Sequence, residues 1–269
     1  MHMTEEYLES RGIRYRKNVF VPGRTTLLLI HGFSSSASAW ALFEPHWESR
    51  YNLIIPDLRG HGFSKRYPRF RDYIIERHAE DMRELIRHVG ADEYICVGYS
   101  LGTTVAVTLS LEDDLRPKAM VLVSPLYQLP MLWRIRLSRP VADALAALTS
   151  ILPMKLGGGR TDYARFADAG DESPMRVAHD IWHTGLRSYF FGMLQIYAFP
   201  GDSWWRKLQC PVLIVWGRRD TVLPEANIRK LAKEVPHVSL EIIEDGSHML
   251  LYHSAEKVSP TIERFVSNL

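Results

Sequence analysis

Short apolar runs, set apart by polar stretches and by glycine or proline turns, dominate the chain. Thr25-Thr-Leu-Leu-Leu-Ile30, Tyr51-Asn-Leu-Ile-Ile55, Tyr94-Ile-Cys-Val97, Ala119-Met-Val-Leu-Val123 and Val212-Leu-Ile-Val-Trp216 are too short for buried helices. They are also too continuous for half-exposed strands, so they read as strands covered on both faces. Between them come stretches with helical spacing. The clearest is 73–89, where Ile75, Met82, Leu85, Ile86 and Val89 share a side and Gly90 supplies the stop. Others are expected over 39–47, 101–111, 225–235 and from Ser254 onward. Val238 to Ile243 adds a strand, and Ile13 to Val21 a weak one. The alternation predicts an α/β fold, a mostly parallel central sheet flanked by helices.

The alternation stops after residue 125 and resumes at 208. Residues 126–207 hold aromatic-rich helical stretches and no clear strand. About 80 residues are too many for a plain loop. The expected organisation is a core of 1–125 and 208–269 with a helical cap inserted at 126–207.

At 269 residues, with 46% hydrophobic and 24% charged positions and a formal charge of +2, the chain can bury a large core. It offers no electrostatic ground for nucleic acid. No run reaches the ~20 apolar residues of a membrane helix, and Met1 to Glu6 lacks the basic-then-apolar layout of a signal peptide. The expectations are therefore no membrane span and a cytoplasmic location. Cys96 and Cys210 sit among apolar residues and read as reduced thiols, and no spacing suggests a metal site.

The chemistry lies at strand ends. In Gly98-Tyr-Ser100-Leu-Gly102, small residues two positions either side of a serine allow a sharp strand-to-helix turn. The turn lifts the hydroxyl clear and aims the first helical amides at the atom it attacks. Such a serine needs a base, and the base needs an orienting group. His248, in Asp245-Gly-Ser-His248, follows the last strand; Asp220, in Trp216-Gly-Arg-Arg-Asp220, follows the strand before. In a parallel sheet both fall on the edge where Ser100 emerges. Helix capping is the alternative role for Ser100 and Asp220. Asp245 reads as a turn former; Asp57 and His61 read as parts of a tight loop made by Gly60 and Gly62 and fixed by Arg59 and Asp57, rather than as a metal or acid–base pair; His31 reads as orienting the loop beside it.

Taken in order, His31-Gly32-Phe33, Asp57-Leu-Arg-Gly-His-Gly-Phe-Ser64, Gly98-Tyr-Ser-Leu-Gly102, Trp216-Gly-Arg-Arg-Asp220 and Gly246-Ser-His248 resemble the α/β-hydrolase fold superfamily. The resemblance runs over nearly the whole chain and extends to carboxylesterase-like serine hydrolases with a helical cap. It implies Ser100 as nucleophile, His248 as base and Asp220 as orienting acid, with the backbone N–H groups of Phe33 and Leu101 as the oxyanion hole. The activity expected is hydrolysis of small carboxylic esters, short to medium acyl or aromatic, through an acyl-enzyme and without a cofactor, by a monomer or homodimer. The same triad serves carbon–carbon bond hydrolases, lactonases, thioesterases and perhydrolases, and a receptor with an idle triad is the reading from another class. The aromatic surplus of the insertion predicts an apolar pocket, with Trp133, Trp182, Phe190 and Met193 as substrate-binding candidates.

Overall fold

Eight strands form one sheet in the computed structural model, which describes residues 3–111, 114–127, 139–154, 158–166, 173–199 and 203–269. They are β1 (Thr4–Leu8), β2 (Ile13–Lys17), β3 (Thr26–Ile30), β4 (Asn52–Pro56), β5 (Ile95–Tyr99), β6 (Ala119–Val123), β7 (Val212–Gly217) and β8 (Val238–Ile243). The spatial order is β1-β2-β4-β3-β5-β6-β7-β8. The pairs β1–β2 and β2–β4 are antiparallel and all others parallel. Strands β3 to β7 are buried along their whole length. Successive residues go to opposite faces: Leu28, Ile54, Cys96, Met120 and Ile214 join one core, and Leu27, Leu53, Ile95, Val121 and Leu213 the other. Two covered faces leave no position for a polar alternation.

Two local expectations are corrected. Strand β1 went unread because its sequence, Thr-Glu-Glu-Tyr-Leu, is that of an edge strand, with Thr4 and Glu5 exposed. The helix expected over 39–47 is broken into a 3-10 turn, Ala37–Trp40, and a single-turn α1 (Glu44–Trp47). Pro45 has no N–H for the carbonyl four residues back and its ring clashes there.

Helices α2 (Ile75–Val89) and α3 (Leu101–Ser110) follow; α4 (Arg139–Thr149), α5 (Pro174–Thr184) and α6 (Leu186–Ala198) lie between β6 and β7. The chain closes with α7 (Glu225–Glu234), α8 (Leu250–His253) and α9 (Ala255–Ser267). Among the described residues no strand lies between β6 and β7, and no helix is long and apolar enough to cross a membrane. Helix α6 packs on the 3-10 turn Phe70–Tyr73. The Phe191 ring meets those of Phe70 and Tyr73 at 5.6 and 5.7 Å, and Tyr73 Oη is 2.7 Å from Ser188 Oγ. Polar contacts also reach the loops after β3 and β4: Ser38 Oγ donates to the Thr161 carbonyl at 2.8 Å, and Arg160 Nε donates to both Asp57 carboxylate oxygens at 3.0 and 3.1 Å. The segment thus sits over the carboxyl ends of the central strands.

Candidate active site

Ser100 occupies the one residue between β5 and α3, at φ 49 and ψ −114. Packing forces that conformation. A Cβ on Gly102 would lie 2.3 Å from the Ile30 carbonyl oxygen, and one on Gly98 would lie 2.6 Å from the Gly102 carbonyl oxygen. Helix α3 can press against β3 and β5 only because both positions lack a side chain. The Ser100 N–H donates to the Val123 carbonyl at 2.9 Å and the Thr103 hydroxyl to the Ser100 carbonyl at 2.6 Å, so the strained turn is held on both sides.

The three residues expected at one strand edge are joined there. Ser100 Oγ is 3.2 Å from His248 Nε2, and His248 Nδ1 is 2.8 Å from Asp220 Oδ2. The other Asp220 oxygen accepts the Val222 and Leu223 N–H groups at 2.8 and 2.9 Å, and Trp216 Nε1 closes the same turn by donating to the Leu223 carbonyl at 3.0 Å. With Oδ1 filled by amides, Oδ2 is left for the imidazole, which fixes the tautomer with Nε2 bare toward the serine. Behind the imidazole, the Tyr99 ring lies 5.8 Å away and its hydroxyl donates to the His248 carbonyl at 3.0 Å. Asp245 stays outside this line: it pairs with Lys257, which lowers its pKa.

The loop after β3 faces the serine. A Cβ on Gly32 would lie 3.3 Å from Ser100 Cβ. Among the described residues, the N–H groups of Phe33 and Leu101 have no hydrogen-bond partner. Two buried histidines brace this loop. His31 donates from Nδ1 to the Gly32 carbonyl at 2.7 Å and accepts the Leu58 N–H at Nε2, 2.9 Å. His61 donates from Nδ1 to the Arg59 carbonyl at 2.9 Å and accepts the Ser34 N–H at Nε2, 3.3 Å. Burial pushes both down to a pKa of about 3, so each is a neutral spacer. Asp57 accepts the Ala37 and Phe63 N–H groups at 2.7 and 2.9 Å besides Arg160, while Arg59 forms a buried two-bond pair with Asp81 at 2.6 and 2.7 Å. None of these groups is available for acid–base work, and among the described residues no cluster has the makings of a metal site.

The substrate-binding candidates scatter. Trp133 lies outside the described residues. Trp182, on α5, is 52% exposed, and Phe190 and Met193 are half-buried on α6. The α6 residues that meet the loop after β3 are others: the Tyr189 ring lies 4.9 Å from that of Phe33, and a Cβ on Gly192 would be 2.9 Å from it. Gly192 lies on the buried side of α6 with Ser188, Phe191 and Gln195, while Tyr189, like Phe190 and Met193, is half-buried. Nothing in the sequence pointed to the hydrogen-bonded group of Ser35, Tyr163, Asp180 and Tyr252 beside this loop, because residues so far apart in the chain share no periodic signal.

A model of the alpha/beta hydrolase fold family matches residues 25–255. An uncharacterized protein of Mycobacterium tuberculosis is 27% identical over 271 residues, covering 94% of this chain and 78% of its own. A poly(3-hydroxyalkanoate) depolymerase of Ectopseudomonas oleovorans is 25% identical over 269 residues, covering 96% and 90%. Among solved structures, a thermophilic esterase from Thermogutta terrifontis has a TM-score of 0.74 at 18% identity, with 100% of this chain and 99% of that one covered; the likeness is one of fold.

Proposed function

The chain belongs to the alpha/beta hydrolase fold family, hydrolysis is the class of activity this membership supports, and from that premise we propose a serine hydrolase of carboxylic esters. The observation that carries the proposal is the unbroken line from Ser100 Oγ through His248 to Asp220 Oδ2, at 3.2 and 2.8 Å. In this reading His248 Nε2 takes the Ser100 proton as Oγ attacks the ester carbon. Asp220 holds the Nδ1–H and stabilises the imidazolium that forms. The Phe33 and Leu101 amides receive the oxyanion, His248 returns its proton to the leaving alkoxide, and a water that His248 deprotonates then cleaves the acyl-enzyme. The chemistry is supplied by side chains and backbone alone. Residues 126–207 act as a cap over a core of 1–125 and 208–269, and the Phe33–Tyr189 contact puts an apolar wall beside the oxyanion loop. That wall suits short to medium acyl or aromatic esters. A relative named as a poly(3-hydroxyalkanoate) depolymerase supports ester cleavage.

The test is covalent labelling with a fluorophosphonate together with turnover of p-nitrophenyl esters of graded acyl length. Ser100 should carry the label, and Ser100→Ala should lose both labelling and turnover while keeping its circular-dichroism spectrum. Turnover near wild type in Ser100→Ala would sink the proposal. A lactone, a thioester and a carbon–carbon substrate in the same panel separate the other chemistries that this triad can perform.

A further inference from the structure

A buried polar chain that the proposed mechanism does not use ties the segment between β6 and β7 to the reaction edge. Asp180, on α5, is only 2% exposed. Its Oδ2 accepts from Arg176 Nη1 at 2.7 Å, and its Oδ1 accepts the Thr161 hydroxyl at 2.8 Å and lies 3.1 Å from Tyr163 Oη. Tyr163 Oη is 2.9 Å from Ser35 Oγ, which is 3.1 Å from Tyr252 Oη, and the two tyrosine rings stack at 4.2 Å. The far end of this chain meets the machinery twice. The Ser35 N–H donates to the Gly32 carbonyl at 3.3 Å, closing the turn that presents Phe33. Tyr252, on α8, sets its ring edge against Tyr99 at 6.1 Å, and Tyr99 holds the His248 carbonyl.

We propose that Asp180 is a positioning residue: ionised, it orders the hydrogen bonds through Tyr163, Ser35 and Tyr252, and through them holds the Gly32–Ser35 turn and the His248 backbone in register with Ser100. The proposal rests on the serine-hydrolase reading. Its logic is a count of hydrogens. Each hydroxyl has one, and a carboxylate only accepts. Ionised Asp180 takes the Tyr163 hydrogen, Tyr163 then accepts from Ser35, and Ser35 accepts from Tyr252. A proton on Asp180 reverses every donor: Asp180 gives to Tyr163, Tyr163 to Ser35 and Ser35 to Tyr252. The Tyr252 hydrogen must then turn from Ser35 to the Tyr163 oxygen, and the brace on the turn weakens. Burial raises the Asp180 pKa from 3.8 to about 6 against the pull of Arg176, Thr161 and Tyr163, so both orders lie within reach of neutral pH. Tyr252 from α8 and Tyr189 from α6 also feel its charge, and both stay neutral phenols because burial raises their pKa.

The experiment compares wild type, Asp180→Asn, Tyr163→Phe and the double variant by rate of fluorophosphonate labelling at Ser100, and by kcat and KM on p-nitrophenyl acetate, between about pH 5 and 8. At about pH 8, Asp180→Asn should label and turn over about tenfold more slowly with KM within about twofold. Its deficit should shrink toward unity as pH falls through about 6, where wild type loses the same ordering. Tyr163→Phe, which keeps the ring stack, should show the same loss at high pH, and the double variant should be no slower than the slower single. Single variants within about twofold of wild type, a deficit independent of pH, or losses that multiply in the double variant would each overturn the proposal. If Asp180→Asn does not fold, Tyr163→Phe alone decides on the same criterion. Wild type left unlabelled refutes the serine-hydrolase reading and takes this proposal with it; wild type labelled with unaffected variants refutes the proposal only.

Discussion

The strand-end edge and the segment that sits over it are built on different principles. At the edge, position comes from backbone: Ser100 is held by its own turn against β3 and β6, and Asp220 by amides of its own turn. Over it, position comes from single side chains reaching across, such as Arg160 to Asp57 and Glu5, Arg66 to the Thr184 carbonyl, and Tyr163 to Ser35. Backbone contacts are short and many, so the edge yields only all at once. Isolated polar contacts are individually weak and respond to pH, so the overlying segment can shift while the turns that hold Ser100 and Asp220 keep their backbone.

The largest test of this contrast is Asp220→Asn, which keeps the turn but reverses the imidazole tautomer. It should lower kcat by about 10³- to 10⁴-fold, while Asp245→Asn, at an exposed residue paired with Lys257, leaves kcat unchanged. Steady-state kinetics on a p-nitrophenyl ester check both. Next comes Gly102→Ala. Its methyl would meet the Ile30 carbonyl oxygen at 2.3 Å, so denaturant unfolding should show about 3 kcal/mol lost together with most activity. If this variant were as stable as wild type, backbone packing would not be what sets Ser100.

A smaller effect reads the other region. Because the folded pKa of Asp180 is about 6 and its ordinary value 3.8, the folded chain binds a proton that the unfolded chain does not in that window. Stability from this group therefore rises as pH falls. Between about pH 7 and 5 wild type should gain about 1 kcal/mol relative to Asp180→Asn. His31 and His61 act in the opposite sense: neutral when folded, at a pKa of about 3, they lower stability as pH falls below their ordinary 6.5. They are present in both proteins, so their contribution cancels in the difference. An unchanged difference across this range would mean that Asp180 does not titrate as the geometry demands. Smallest of all is Trp182→Ala, at an exposed indole, expected to change the unfolding free energy by less than about 0.5 kcal/mol. A large loss of stability there would show that the indole belongs to the packing of the overlying segment.

What could be read without coordinates follows the same division. Residues such as Leu27 to Ile30 and Val212 to Val215 announce themselves because a strand covered on both faces must be apolar throughout. Ser100, Asp220 and His248 were legible because strand ends in a parallel sheet share one edge, so position in sequence implies proximity in space. Strand β1 was hidden by its exposure at the sheet edge, and the break at Pro45 by an apolar pattern that runs on past it. On α6, composition marked Phe190 and Met193, whereas helix orientation brought Tyr189 and Gly192 to Phe33.

The sequence by itself determined the alternation of strands and helices, the sheet class and the identity of the groups at the strand ends, because each depends on local pattern and on the direction of the chain. Only the tertiary structure decided that Asp57 meets Arg160, that burial keeps His31 and His61 neutral, and that Asp180 reaches the loop after β3 through Tyr163 and Ser35. The Asp57–Arg160, Tyr163–Ser35 and Asp180–Tyr163 contacts join residues from 17 to 128 positions apart, and over such separations no periodicity of a strand or helix relates one partner to the other.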